Sequence, residues 1–181
     1  LNTIYGAIPR EASGARATVL NLAEIFRYLL RADGSLIPLA EEVRIIRRYL
    51  EIEKLRLGAR LESEIEVEEA AGRALIPILS VQPLVENAVK HGVAAQAGPG
   101  CVRLEARAAA GAAIVRVENS PGARPAGAAA STGFGLGLAN VRRRLELCYG
   151  ERAAVAVRHE EARTVVEFSV PLEPRAVEAA G

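Results

Sequence analysis

Apolar residues recur at three- and four-residue steps from Ala15 to Arg31, at Val19, Leu22, Phe26 and Leu29, and this spacing predicts an amphipathic helix. "ADGS" breaks the pattern, and a second helix is predicted to open at Pro38, with the stripe Leu39, Val43, Ile46, Leu50 and Leu57 and with Glu41 and Glu42 near its positive end. Two helices joined by a short polar link form a hairpin. A lone hairpin buries little, so packing against a second copy is expected. After Gly58 the period changes. Leu61, Ile65 and Val67 fall in a charged, strand-like stretch, "EEAAGR" is expected to turn, and a helix is predicted from about Pro77 to His91, bent at Pro83 and ended by Gly92. Alternation then predicts strands over 101–107 and 112–118, joined by the small-residue turn "AAAG". "SPGARPAGAAAST", residues 120–132, has too little side chain to pack and is predicted to be a mobile loop. Leu138, Val141, Leu145 and Cys148 mark another helix, closed by Gly150, before strands over 153–158 and 164–170.

The order strand, helix, strand, strand, loop, helix, strand, strand implies an α+β sandwich with helices on one face of a mixed or antiparallel sheet. The expected divisions are 1–58 for the helical part, 59–174 for the sandwich and 175–181 for a frayed tail. Composition adds limits. Half of the residues are apolar, which is enough for a core, and the net charge of +1 gives no electrostatic ground for nucleic acid as a partner. Cys101 and Cys148 lack metal-ligand spacing, and two cysteines do not make a disulfide framework of this size, so a reducing compartment is expected. No apolar run reaches the roughly 18 residues of a membrane span.

The polar chemistry concentrates in three places. In "QPLVENAVKHG", residues 82–92, helical spacing lets Asn87, Lys90 and His91 share a face while Leu84, Val85 and Ala88 turn toward the core. An amide oxygen can ligate Mg²⁺ and a lysine can offset phosphate charge; alternatively, Lys90 and His91 simply complement a helix C-terminus. In "GFGLGLANVRRRL" the glycines at 133, 135 and 137 expose backbone N–H groups at a helix start, where phosphate oxygens can be held, or else mark only a flexible entry into a helix. No strand directly precedes these glycines, as a dinucleotide-binding turn would require, and no glycine run ends in Gly-Lys-Ser/Thr. Arg142 to Arg144 could reach phosphates or a partner, although a solvated helix face is the simpler reading.

Together, "QPLVENAVKHG", "VENSPG", "GFGLGLANVRRRL" and the final "RTVVEFSVP" closely resemble the N box, D-box region, G box and last strand of the Bergerat ATP-binding fold. That fold is shared by histidine kinases, type II topoisomerases, mismatch-repair ATPases and the ninety-kilodalton heat-shock chaperone. The preceding "LAEIFRYLLR" and "IPLAEEVRIIRRYLEIEKLRLGARL" look like the segment between phosphoacceptor helix and catalytic domain in sensor histidine kinases of the autolysis-sensor type. The resemblance spans roughly Leu1 to Leu172. It implies a mixed sheet covered on one face by helices and preceded by a helical hairpin, with ATP and Mg²⁺ as cofactors.

By that resemblance Asn87 is the Mg²⁺ ligand, Lys90 and His91 lie beside the phosphates, and Glu86 is a candidate for polarising the incoming nucleophile. Gly133, Gly135, Gly137 and Leu138 would carry phosphates by backbone N–H, Asn140 would orient the turn, and the loop opening at Gly122 would be the ATP lid. Asn119 stands where the family usually has an aspartate that accepts from the adenine amine. An amide oxygen can accept the same bond without charge assistance. Thr164 matches a hydroxyl near the adenine. The resemblance also implies a response regulator as partner, a homodimer in the full-length protein, and a cytoplasmic region of a membrane-anchored bacterial protein. It places the phosphorylated histidine upstream of "LNTI", so this chain is expected not to phosphorylate itself. A non-catalytic nucleotide-binding or dimerising scaffold is the alternative. A serine kinase or ATPase of the same fold is a second one, and the ATPase is disfavoured because its water-activating glutamate would fall at Pro83.

Overall fold

Along Ala112–Asn119 (β5) every second residue, from Ala113 to Asn119, is buried and the residues between are half-exposed, as a strand with one covered face requires. The computed structural model describes residues 1–30, 36–95, 98–119, 135–160 and 163–173. In chain order these form α1 (Asn2–Ala7), α2 (Ser13–Leu29), β1 (Leu36–Pro38), α3 (Leu39–Leu57), β2 (Leu61–Val67), α4 (Glu69–Gly72), β3 (Leu75–Pro77), α5 (Gln82–Asn87) with a π-helical turn at Ala88–Val93, β4 (Gly100–Ala109), β5, α6 (Gly135–Tyr149), β6 (Ala154–Glu160) and β7 (Arg163–Pro171). The breaker "ADGS", the stretch 120–132 and the tail after Pro174 lie outside the described residues.

Five strands make one sheet in the order β2-β4-β5-β7-β6, parallel between β2 and β4 and antiparallel elsewhere. The sheet is therefore mixed. A parallel pair needs a crossover, and here it comprises α4, β3, α5 and the π turn. At the β4–β5 hairpin, Ala110 (φ 50°) and Gly111 (φ 78°) both take positive φ between the paired Ala109 and Ala112, the backbone of a type I′ turn. Helices cover one face of the sheet, and a single core joins Leu84, Val85 and Val89 of the crossover, Val141 and Leu145 of α6, and Val115, Val117, Val166 and Phe168 of the sheet. The opposite face carries charge, with Arg103 bridged to Glu64 and Glu66.

Three expectations change. The helix over 77–91 begins at Gln82 instead. Pro77 ends β3, which pairs with β1 in a two-stranded ribbon, so Pro83 falls in the first turn, where its missing N–H costs no ladder bond. "EEAAGR" contains the single helical turn α4. On α2 the predicted apolar stripe is not the packed face: Asn21, Ile25 and Tyr28 are buried, while Leu22 and Phe26 remain 36% and 50% exposed. Asn21 Nδ2 donates to Glu51 on α3 at 2.9 Å, and Ile25 and Tyr28 pack with Ile45 of α3, with Leu29 against them, so a face turned away from Leu22 and Phe26 closes the hairpin through one polar and several apolar contacts. Leu39, Val43, Ile46 and Leu50 of α3 belong to the same buried cluster as the sheet.

Candidate nucleotide site

The segment "QPLVENAVKHG" divides its faces as its spacing suggests. Leu84, Val85, Ala88 and Val89 are buried, Glu86, Lys90 and His91 are exposed, and Asn87 lies between. The helix closes in π geometry, with Ala94 N–H donating to Val89 O at 2.8 Å, and such widened turns concentrate at functional sites. Glu86 accepts from Gln82 Nε2 at 2.9 Å.

Two glycines decide what meets this segment. At Gly137, in the first turn of α6, a Cβ would lie 3.3 Å from Asn87 Nδ2 and 3.8 Å from Pro83 Cβ, so the backbone of the glycine turn packs directly against the Asn87 amide. At Gly92 a Cβ would lie 2.2 Å from Asn119 Nδ2 and 2.8 Å from both Asn119 Cβ and Cγ. No side chain fits there. The π turn is thus pressed onto the end of β5, and the two contacts bring Asn87, the α6 start and Asn119 into one locality. Leu138 packs partly against the core and Asn140 is exposed on α6. Gly135 is the first residue of α6, and Gly122 and Gly133 lie outside the described residues.

Asn119, only 7% exposed, pairs in register with Thr164 of β7, which in turn pairs with His159 of β6. Directly opposed residues of antiparallel strands share a face. Asn119, Thr164 and His159 therefore form a row on the helix-covered side, and His159 Nδ1 is 3.2 Å from Thr164 Oγ1. On the other face Glu118 ties the same strand ends together, accepting from Arg163 Nη1 at 2.7 Å and Arg116 Nη2 at 2.9 Å. Burial raises the Glu118 carboxyl, but the two arginines outweigh it and hold the group below its ordinary range. A depressed carboxylate contributes stability above its unfolded pKa and loses it as pH falls through the folded value. The melting-temperature difference between the wild type and Glu118→Gln is accordingly expected to be largest near neutrality and to close below about pH 4; a difference constant with pH would contradict the ion-pair origin.

Among the described residues no three His, Cys, Asp or Glu side chains are placed to hold a metal ion, so these residues offer no all-protein metal cage. It offers one amide beside a glycine turn, which suits a cation completed by phosphate and water.

Three features were missed in the sequence. Gly92 reads as a helix stop but acts as a close-approach point. Arg144, in the run expected to be solvated or phosphate-directed, donates to Ile78 O at 2.6 Å and braces the turn before α5. Glu42, expected to complement the dipole of its own helix, is fully buried and binds a different helix start: Val81 N–H and Gln82 N–H reach its Oε1 at 2.8 Å each, and Ser80 N–H reaches Oε2 at 3.3 Å. A signal existed, since Glu42 falls three residues after Leu39 and four before Ile46, a core position occupied by a carboxylate.

A mixed sheet with helices on one face, an amide-bearing helix against a glycine turn, and a polar row at the strand ends define an ATP-binding domain of the GHKL class. Residues 76–174 match the family described as histidine kinase-, DNA gyrase B- and HSP90-like ATPase, and residues 1–61 match the family described as histidine kinase. The chain belongs to the histidine kinase-, DNA gyrase B- and HSP90-like ATPase family, on its sensor histidine kinase branch. It is 32% identical over 157 residues to the sensor histidine kinase BtsS of Escherichia coli (strain K12), covering 87% of this chain and 28% of that protein. It is 26% identical over 180 residues to the sensor protein LytS of Oceanobacillus iheyensis, covering 93% of this chain and 31% of that one. The chain thus spans under a third of the length of these curated relatives. In fold it is similar to the catalytic domain of histidine kinase ThkA, with a TM-score of 0.57 at 18% identity, covering 78% of this chain and 97% of that one. The histidine kinase domain of the blue-light activated kinase from Erythrobacter litoralis EL346 gives 0.56 at 19%, covering 88% and 75%.

Proposed function

We propose that this chain is the ATP-binding catalytic region of a two-component sensor histidine kinase, and that it presents Mg²⁺·ATP for transfer of the γ-phosphoryl group to a histidine. The observation that carries this reading is the double close approach, Asn87 against Gly137 and Gly92 against Asn119, which sets the Asn87 amide, the first turn of α6 and the Asn119 amide side by side. Asn87 would hold Mg²⁺, whose bound charge offsets that of the phosphate oxygens. Lys90 and His91, both exposed next to it, would face the phosphates, as would the backbone of Gly133, Gly135, Gly137 and Leu138 with Asn140 beyond. Asn119 and Thr164 would recognise adenine, and Gly122, outside the described residues, would also bind the nucleotide. Glu86, exposed beside Asn87, would orient the incoming imidazole.

In the transfer an imidazole nitrogen bonds to the γ-phosphorus while the bond to the β-phosphate oxygen breaks and ADP leaves; alignment and charge neutralisation do most of the work. The chain's two histidines lie on the π turn and in β6, not on the helical hairpin, so the acceptor would be supplied from outside these residues. The exposed stripe of Leu22, Phe26 and Leu30 on and just after α2 suits packing against a second copy. A response regulator would take the phosphoryl group onward, and membrane anchoring would come from segments outside this chain, in which no described helix is long and apolar enough to cross a membrane.

Calorimetric titration with ATP and Mg²⁺ tests the core of this reading. Asn119→Ala is expected to weaken ATP about tenfold, the value of one buried hydrogen bond, while leaving GTP affinity nearly unchanged. Equal losses for both nucleotides would remove the adenine role.

A further inference from the structure

The six-residue helix α5 has no capping side chain of its own, and its N-cap position is Val81. So short a helix is not stable by itself and takes its orientation from what holds it. Three elements converge on the turn that precedes it. Glu42 of α3 accepts the N–H groups of Ser80, Val81 and Gln82. The Tyr28 hydroxyl of α2, which stands close enough to Glu42 to influence its carboxyl, accepts Leu79 N–H at 3.3 Å, and Arg144 of α6 donates to Ile78 O. Leu79 is held at φ 63°, a conformation a leucine rarely adopts unless its surroundings impose it. Every partner of the Glu42 carboxylate is a donor, so the ionised form is the one the pocket satisfies, even though burial pushes the group above its ordinary range.

We infer that Glu42 is a positioning residue for metal-dependent nucleotide binding: from the helical hairpin it fixes the start of α5 and thereby the placement of Asn87 against Gly137. The inference rests on the nucleotide-site reading above. Gln82 and Asn87 are five residues apart, about 7.5 Å along a helix, so a tilt at the cap displaces the amide. The adenine side is set separately. Asn119 and Thr164 are held by β-pairing between β5 and β7, which Glu42 does not touch. Loss of the cap should therefore impair the Mg²⁺-dependent part of binding and spare the rest, which a general loss of stability would not do.

The experiment titrates this chain with ATP in Mg²⁺ and in EDTA, for the wild type, Glu42→Gln, Asn87→Ala and the double variant. The glutamine keeps one acceptor oxygen but turns an NH₂ group toward donors. Expected is a loss of about tenfold for Glu42→Gln in Mg²⁺, under about twofold in EDTA, and under about twofold in Mg²⁺ when Asn87 is already alanine. Equal losses with and without Mg²⁺, or a tenfold loss that persists in the Asn87→Ala background, would overturn the inference. Should Glu42→Gln not fold, Tyr28→Phe removes a single hydroxyl and is expected to give the same pattern at about threefold; unchanged Mg²⁺·ATP affinity there would also overturn it. A wild type that binds no ATP in either medium would sink the nucleotide reading and this inference together. A wild type that binds normally beside an unaffected Glu42→Gln would sink only the inference.

Discussion

Gly92→Ala is expected to lower the stability of the fold by about 2 kcal/mol and to abolish measurable ATP binding. The new methyl would stand 2.2 Å from Asn119 Nδ2 and 2.8 Å from Asn119 Cβ and Cγ. Rotating the amide relieves the first contact but not the one with Cβ, which is fixed by the backbone. That backbone is in turn pinned on both sides, paired with Val102 of β4 and Thr164 of β7. Either β5 shifts against its neighbours or the π turn lifts off the sheet, and a lifted turn carries Lys90 and His91 with it. For a chain of this size 2 kcal/mol corresponds to a fall of roughly 4–8 °C in melting temperature. Thermal unfolding and calorimetry on the same sample check both parts; a variant with wild-type melting and wild-type ATP affinity would show that the turn and the strand are not locked together.

How much of this was legible in the sequence depended on whether the signal was local. The strands of the sheet, the stripes of α3 and α6, and the face of the segment carrying Asn87 follow from residues a few positions apart, and each forms as its period predicts. The failures involve partners distant in the chain. Gly92 needs Asn119, 27 positions on, before its missing side chain has a meaning, so alone it reads as a helix stop. Arg144 finds its acceptor on Ile78, and within a run of three arginines nothing singles it out. On α2, Asn21 is buried against Glu51 and Tyr28 against Ile45 of α3 and Ile78; with polar residues taken as solvent-facing, periodicity points to Leu22 and Phe26 instead. The start of α5 was misplaced for the same reason. Its cap is supplied by Glu42, about 40 residues earlier, and a local rule looks for a cap beside the helix.

Asn87→Ala is expected to reduce ATP affinity in Mg²⁺ about 100-fold, to the level measured in EDTA, while changing the EDTA value little. The argument is one of chemistry and place. Asn87 is a half-buried polar residue flanked by the buried apolar Leu84, Val85, Ala88 and Val89, and its amide meets the Gly137 backbone, where a glycine turn can hold phosphate oxygens. No carboxylate, histidine or cysteine cluster among the described residues offers a cation another home. Loss of an interaction with a charged group costs about 3 kcal/mol, which corresponds to the 100-fold change. The folded state should hardly notice, because Leu84, Val85, Ala88 and Val89 carry the packing of the segment and the alanine is a good helix former. Full Mg²⁺ dependence retained in Asn87→Ala would move the metal away from this amide, and a loss equal in both media would mean that Asn87 supports the glycine turn without holding the cation.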